Sequence, residues 1–175
     1  MRSMAKLACA ALGLSALGGC AATTALPVSG QSTKPIKETI AWSVGPCFGF
    51  CPVYKVEVDG NGAVRFDGER HTAVLGQKVR EGGPDAYSAI ETALAPYRPS
   101  TGATTSTTCE QRISDGSNYV LTWTGSDGTV TTLKHDRGCI SPRNAALNTA
   151  LQTLPRQLGI EDWTSQVTRP GDSRG

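Results

Sequence analysis

The chain has 175 residues, with 17 basic and 15 acidic side chains and six cysteines. Arg2 and Lys6 are the only charges in the first nineteen residues, so residues 20–175 carry balanced charge and the pI near 8.2 belongs largely to the precursor. A neutral, evenly mixed surface excludes the basic footprint of a nucleic-acid partner, and residues 20–175 suit one domain with tails.

Arg2 and Lys6 precede an uncharged apolar run from Leu7 to Leu17, which is too short to span a bilayer and reads as a secretory signal over 1–19. Leu17-Gly18-Gly19-Cys20 resembles the lipobox of bacterial lipoproteins. That resemblance implies that Cys20 becomes the first residue of the mature protein and carries palmitate-type acyl chains. Each buried methylene then contributes about 0.8 kcal/mol to a membrane anchor. In a cell with two membranes, Ala21, where a retained inner-membrane lipoprotein commonly has aspartate, directs the expectation to the outer membrane, periplasmic face. Residues 20–37, rich in Thr, Ser, Pro and Gly, read as a lipidated flexible tether.

Order is predicted from Thr39 to Val44, where Ile40, Trp42 and Val44 alternate with Ala41 and Ser43. A crowded stretch follows, Gly45-Pro46-Cys47-Phe48-Gly49-Phe50-Cys51-Pro52, in which two prolines fix φ and Gly49 permits a sharp turn between cysteines. Alternation resumes at Tyr54, Val56 and Val58. Asp59-Gly60-Asn61-Gly62 then reads as a hairpin leading to Val64 and Phe66. A fourth strand is predicted over Thr72 to Val79, interrupted by Gly76. Gly82-Gly83-Pro84-Asp85 opens a helix with Tyr87, Ile90, Ala93, Leu94 and Tyr97 on one stripe, ended by Pro96 and Pro99. Residues 100–118 read as a Thr/Ser/Gly loop around Cys109. Tyr119–Thr124 and Thr129–Lys134 form a second hairpin, Ser141-Pro142 starts a second helix, and Pro155 should kink or end it near its last turn. Glu161-Asp162-Trp163 is expected as a short edge segment, and residues 164–175 as a disordered tail.

Four strands, a helix, two strands and a helix predict an α+β domain over 38–163. Its antiparallel sheet of about six strands would carry two helices on one face. Cys47-Phe48-Gly49-Phe50-Cys51-Pro52-Val53-Tyr54 resembles the C-F-G-x-C-P-x-Y signature of a bacterial family of secreted domains of unknown function. The resemblance extends from about Ile40 to Trp163 and implies a fold and an address, with no activity attached.

With Cys9 in the signal and Cys20 lipidated, Cys47, Cys51, Cys109 and Cys139 remain, an even number suited to an oxidising compartment. Three connectivities are open. We favour Cys47 with Cys51, across a turn built to fold back, and Cys109 with Cys139, around the second hairpin. The chemistry then divides into two readings. In one, the stapled domain is a non-catalytic module that binds a partner protein or envelope component through its unpacked loops and exposed sheet face; Phe48 and Phe50 either plug the core or form a contact patch, and plugging is favoured. In the other, Cys47-x-x-x-Cys51-Pro52 resembles the cysteine-proline pattern of Sco copper chaperones, with His135 as third ligand to Cu(I) or the cysteines acting as a redox pair. Against it, Val53 to Asp59 reads as a strand, whereas a thiolate is favoured at a helix N-terminus. Zinc at Cys47, Cys51 and a further ligand is a third, weaker reading. His135, at a hairpin end, and His71, in a polar loop, are expected to be solvated or capping residues. Ser114 and Ser141 have no nucleophile frame, so no catalytic residue is assigned, and without a P-loop or a G-x-G-x-x-G after a strand no nucleotide is expected.

Overall fold

The computed structural model describes residues 38–175. The signal, Cys20 and the tether lie outside the described residues. Seven strands, β1 (Thr39–Val44), β2 (Val53–Val58), β3 (Ala63–Arg70), β4 (Gly76–Glu81), β5 (Thr104–Ser106), β6 (Asn118–Thr124) and β7 (Val130–Asp136), form one sheet in the order β4-β3-β2-β1-β6-β7-β5. All neighbours are antiparallel except β5, which lies parallel to β7. The α+β class is therefore as expected, whereas the sheet is mixed and has one more strand. The extra strand is a three-residue, fully exposed Thr-Thr-Ser edge with no apolar alternation to betray it. β4 also begins at Gly76, later than expected, because residues 72–74 are bonded to 163–166 and not to β3; all six β4 residues are exposed.

Each inner strand follows its two-residue period, burying Ile40 and Trp42, Val56 and Val58, Val64 and Phe66, and Leu121 and Trp123 on one face. Helices α1 (Gly83–Leu94) and α2 (Pro142–Gln157) complete that core with Tyr87, Ile90, Leu94, Leu147, Leu151 and Leu154. The other face is left to solvent, where the outward rows of β2 and β3 carry surface ion pairs such as Lys55–Glu69 at 3.0 Å and Arg65–Glu57 at 3.3 Å.

Local chemistry explains the turns. Asp59 Oδ1 accepts from the backbone N–H groups of Asn61 (2.9 Å) and Ala63 (3.1 Å), closing the first hairpin. Gly62, at φ +85°, leaves no room for a Cβ beside the Gly83 carbonyl. Pro155 sits inside α2, which ends two residues later at Gln157. The end is a Schellman motif: Gly159 at φ +65° donates to the Arg156 carbonyl (3.0 Å) and Ile160 to that of Pro155 (2.8 Å). Glu161–Thr164, expected as an edge segment, forms the one-turn helix α3 instead. Ser141 occupies the N-cap position, yet its hydroxyl makes no cap bond and accepts from Asn144 Nδ2 (3.0 Å).

The sequence-based expectation of a disordered 164–175 is corrected here, since this segment lies back along residues 71–74. Ala73 N donates to Ser165 O (2.8 Å), Val167 N to His71 O (2.9 Å), and the Arg169 guanidinium to Thr72 O (2.7 Å). Polar composition conceals such a segment because backbone groups and one arginine hold it, with no apolar stripe.

Candidate functional site

The crowded stretch between β1 and β2 folds back on itself. Gly49 N donates to Cys47 O (2.8 Å), and Cys47 and Cys51 are bridged with their Cα atoms 5.7 Å apart. Gly45 N donates to Asn118 O (2.8 Å), tying the base of the turn to β6. The two aromatics on this staple part company. Phe50 packs edge-on against His71, ring centroids 5.3 Å apart, while Phe48 is 71% exposed. Plugging of the core by both rings is therefore corrected: only Phe50 turns inward, and Phe48 points away from a turn too tight to bury both.

His71 is the pivot behind Phe50. A bulge at Glu69 in β3, where Val53 pairs with Arg70 and Tyr54 with Gly68, precedes it, and its own φ is +55°. This backbone sends the ring inward, so the expected solvated loop histidine is buried. Its Nδ1 lies 3.3 Å from Asp172 Oδ2, which also accepts from Arg169 N (2.6 Å). The Arg169 N–H first, and His71 after it, hold the Asp172 carboxyl below its usual range. Gly175 N donates to Gly49 O (2.9 Å) and Arg174 stands over the Phe50 ring, so the final residues brace the turn from behind.

The second bridge joins Cys109 to Cys139, Cα atoms 5.2 Å apart, in the favoured connectivity. His135 is buried beside it, another departure from the expected hairpin-end histidine. Its Nε2 is 3.0 Å from Asn148 Oδ1 and its Nδ1 2.9 Å from Thr107 Oγ1. Asn148 Nδ2 donates to the carbonyls of Arg137 (3.0 Å) and Cys139 (3.3 Å), which fixes Oδ1 as acceptor. Nε2 therefore carries the proton and Nδ1 accepts from Thr107, a neutral imidazole with both nitrogens satisfied. Burial holds the His135 pKa below its ordinary 6.5, with Asn148 and Asp136 opposing. The structure thus commits Cys47 and Cys51 to each other and His135 to Thr107 and Asn148. Among the described residues no three His, Cys, Asp or Glu side chains are grouped as metal ligands, so the copper triad of Cys47, Cys51 and His135 is not assembled. The Ser114 hydroxyl donates to its neighbour Asp115 (3.2 Å).

Sequence reasoning missed a cleft behind the stapled turn, between the end of the sheet and the C-terminal half of α2. Val44 pairs with Tyr54 on one side and Tyr119 on the other, so two phenols flank it on the inner face. Cys51, Ser117, Arg137, Gln152 and Glu161 complete a space of about 280 Å³. Burial, with Tyr119 adding to it, pushes the Tyr54 phenol well above its ordinary value. Burial likewise raises that of Tyr119; the Trp42 side chain first and the Arg137 charge after it pull Tyr54 back, and Arg137 does the same to Tyr119. Tyrosines at Val44-facing positions were legible as core strand residues; that both line one cleft was not, because it depends on β6 registering against β1. The outer sheet face has a groove of about 400 Å³ over Ala41, Ser43 and Val120.

These features define a small disulfide-stapled α+β module that presents one aromatic side chain on a pinned turn. The chain belongs to the family described as Domain of unknown function (DUF6438), whose sequence model matches residues 38–156. Comparison with curated proteins found no match.

Proposed function

We propose that the protein is a non-catalytic binding module of the cell envelope. Acylated Cys20 anchors it to the membrane, at the periplasmic face of the outer membrane in a two-membrane cell, and the turn bearing Phe48 contacts an envelope protein. The observation that carries this reading is Phe48 itself, 71% exposed on a loop closed by a disulfide. A phenylalanine held out in water forgoes about 1.5–3 kcal/mol that its burial would supply. Here the ring is held by a staple, and the chain entropy that ordering a binding loop costs on association is already spent in the free protein. A rigid aromatic of this kind is what binding hot spots are made from. The rest of the corner supports that display: Phe50, His71 and Asp172 form the buttress under the turn. The lipobox-like Leu17-Gly18-Gly19-Cys20 and the tether-like 20–37 support the address.

The test places a photoreactive phenylalanine analogue at position 48 of the full-length protein in whole cells. One discrete adduct is expected, competed by co-expressed wild type and not by co-expressed Phe48→Ser. The same analogue at exposed Thr149 on α2 should give none. Equal labelling from both positions would remove the turn as the contact element. Cys20→Ser should abolish incorporation of labelled palmitate, and palmitate retained in that variant would remove the anchor.

A further inference from the structure

We propose that the cleft behind the stapled turn, between the end of the sheet and α2, is a binding site for a compact organic carboxylate. The site is separate from the Phe48 turn and does not depend on that turn's having a partner.

Three observations converge. Ser117 is 1% exposed, and its Oγ has no hydrogen-bond partner among the described residues although it lines the cleft. A buried hydroxyl left unpaired is costly, and a ligand oxygen reaching it would remove that penalty. Arg137 is exposed at the rim, and among the described residues it has no carboxylate partner. Its backbone N–H donates to Ser117 O at 3.0 Å, so the guanidinium and the unpaired hydroxyl sit on residues paired just beyond the adjoining ends of β6 and β7. The third is the pair of phenols on the floor. A phenol is protonated at neutral pH, so Tyr54 and Tyr119, both lining the cleft with Arg137, offer O–H donors there.

The charge count selects the ligand. Glu161 is the one acid on the rim, and it is taken up by Arg156 through contacts of 3.0 to 3.3 Å. What is left uncompensated is one guanidinium among neutral hydroxyls and the Gln152 amide, a set that matches a monoanion with two acceptor oxygens. A carboxylate fits the planar fork of arginine in two places, with its remaining lone pairs directed to hydroxyls. About 280 Å³ lies just below the usual range for ligand pockets, which restricts the guest to the size of a hydroxy or amino acid. Tyr119 stacks on His135, ring centroids 6.2 Å apart, and His135 is fixed by Thr107 and Asn148, so the floor is set before any ligand arrives.

The experiment titrates the full chain, labelled with nitrogen-15 in arginine, with acetate, L-lactate and alanine, and in parallel with lactamide and inorganic phosphate. At least one carboxylate is expected to shift the Arg137 side-chain resonance saturably, and lactamide to leave it unmoved. Arg137→Gln, which leaves the backbone bonds of that exposed residue in place, should weaken binding about tenfold or more, read from tyrosine resonances. Ser117→Ala should weaken it less, and Arg143→Gln at the opposite end of α2 should leave it unchanged. The proposal is overturned if no carboxylate saturates by about 100 mM, a limit far weaker than the millimolar affinities of small-ligand sites. It is equally overturned if phosphate binds more tightly than every carboxylate, or if Arg137→Gln binds as wild type does. None of these outcomes bears on the crosslinking at position 48.

Discussion

The two disulfides close loops of very different size, and the corners they hold have different work. Cys47 and Cys51 are four residues apart and enclose only Phe48, Gly49 and Phe50; Cys109 and Cys139 are thirty apart and enclose β6 and β7. In the chain-entropy account the longer loop contributes roughly 3 to 4 kcal/mol and the shorter about 2. The longer bridge also fastens a loop with almost no regular secondary structure, which is tied besides by Thr107 to His135, Asn144 to the Thr108 carbonyl, and the backbone pairs of Thr107 with Lys134 and Ile113 with Gly138. The shorter one sits beside a turn already braced by Gly49, Gly175 and the β1–β2 ladder. One bridge keeps a weakly structured stretch on the sheet; the other keeps an aromatic off it.

That contrast can be broken at its strong end first. Cys109→Ser with Cys139→Ser should lower stability by about 2 to 4 kcal/mol, read as a lower urea midpoint, and an unchanged midpoint would show that the long loop is held by other means. Cys47→Ser with Cys51→Ser should have the smaller effect, about 2 kcal/mol or less, with loss of the position-48 adduct out of proportion to it. If that pair of substitutions proves the more destabilising, the division of labour between the corners is reversed. In the same series, reduced wild-type protein titrated with Cu(I) should show no stoichiometric uptake that depends on His135, since that ring is engaged elsewhere; uptake abolished by His135→Ala would restore the copper reading.

The smallest effect expected is on pH dependence. Because burial lowers the folded pKa of His135, its neutral form contributes stability that is full above the ordinary 6.5 and is lost as pH falls from there through the lowered folded value. Wild type should therefore lose stability on acidification below 6.5, and His135→Gln, less stable at pH 7.5, should show a flatter profile. Parallel profiles would mean that His135 accepts its proton without penalty.

How much of this was legible follows from where the information lay. Asp59-Gly60-Asn61-Gly62, Pro84 and the Pro142 helix start announce themselves within a few residues, and the structure has a hairpin and two helices there. The cysteine pairing could be argued because its two loops bracket recognisable elements. Both histidines were misjudged for the same reason. Their neighbours in sequence are polar, while what buries them is remote: Phe50 and Asp172 around His71, Asn148 and Tyr119 around His135. The unpaired Ser117 hydroxyl was beyond reach for that reason too, since its isolation is a property of the assembled cleft.

The place of β1 in the sheet has a mechanical consequence. Although first among the described strands, it lies inside the sheet, paired with β2 on one side and β6 on the other, as Trp42 opposite both Val56 and Leu121 shows. Glu38, just ahead of it, is gripped by both terminal nitrogens of Arg98. A pull arriving through the residues before Glu38 is therefore taken up by a strand that has to slide past two neighbours at once, against rows of hydrogen bonds on either side. Had β1 been an edge strand, the same pull could have peeled one row. A domain held by its leading end is thus loaded where its sheet resists most.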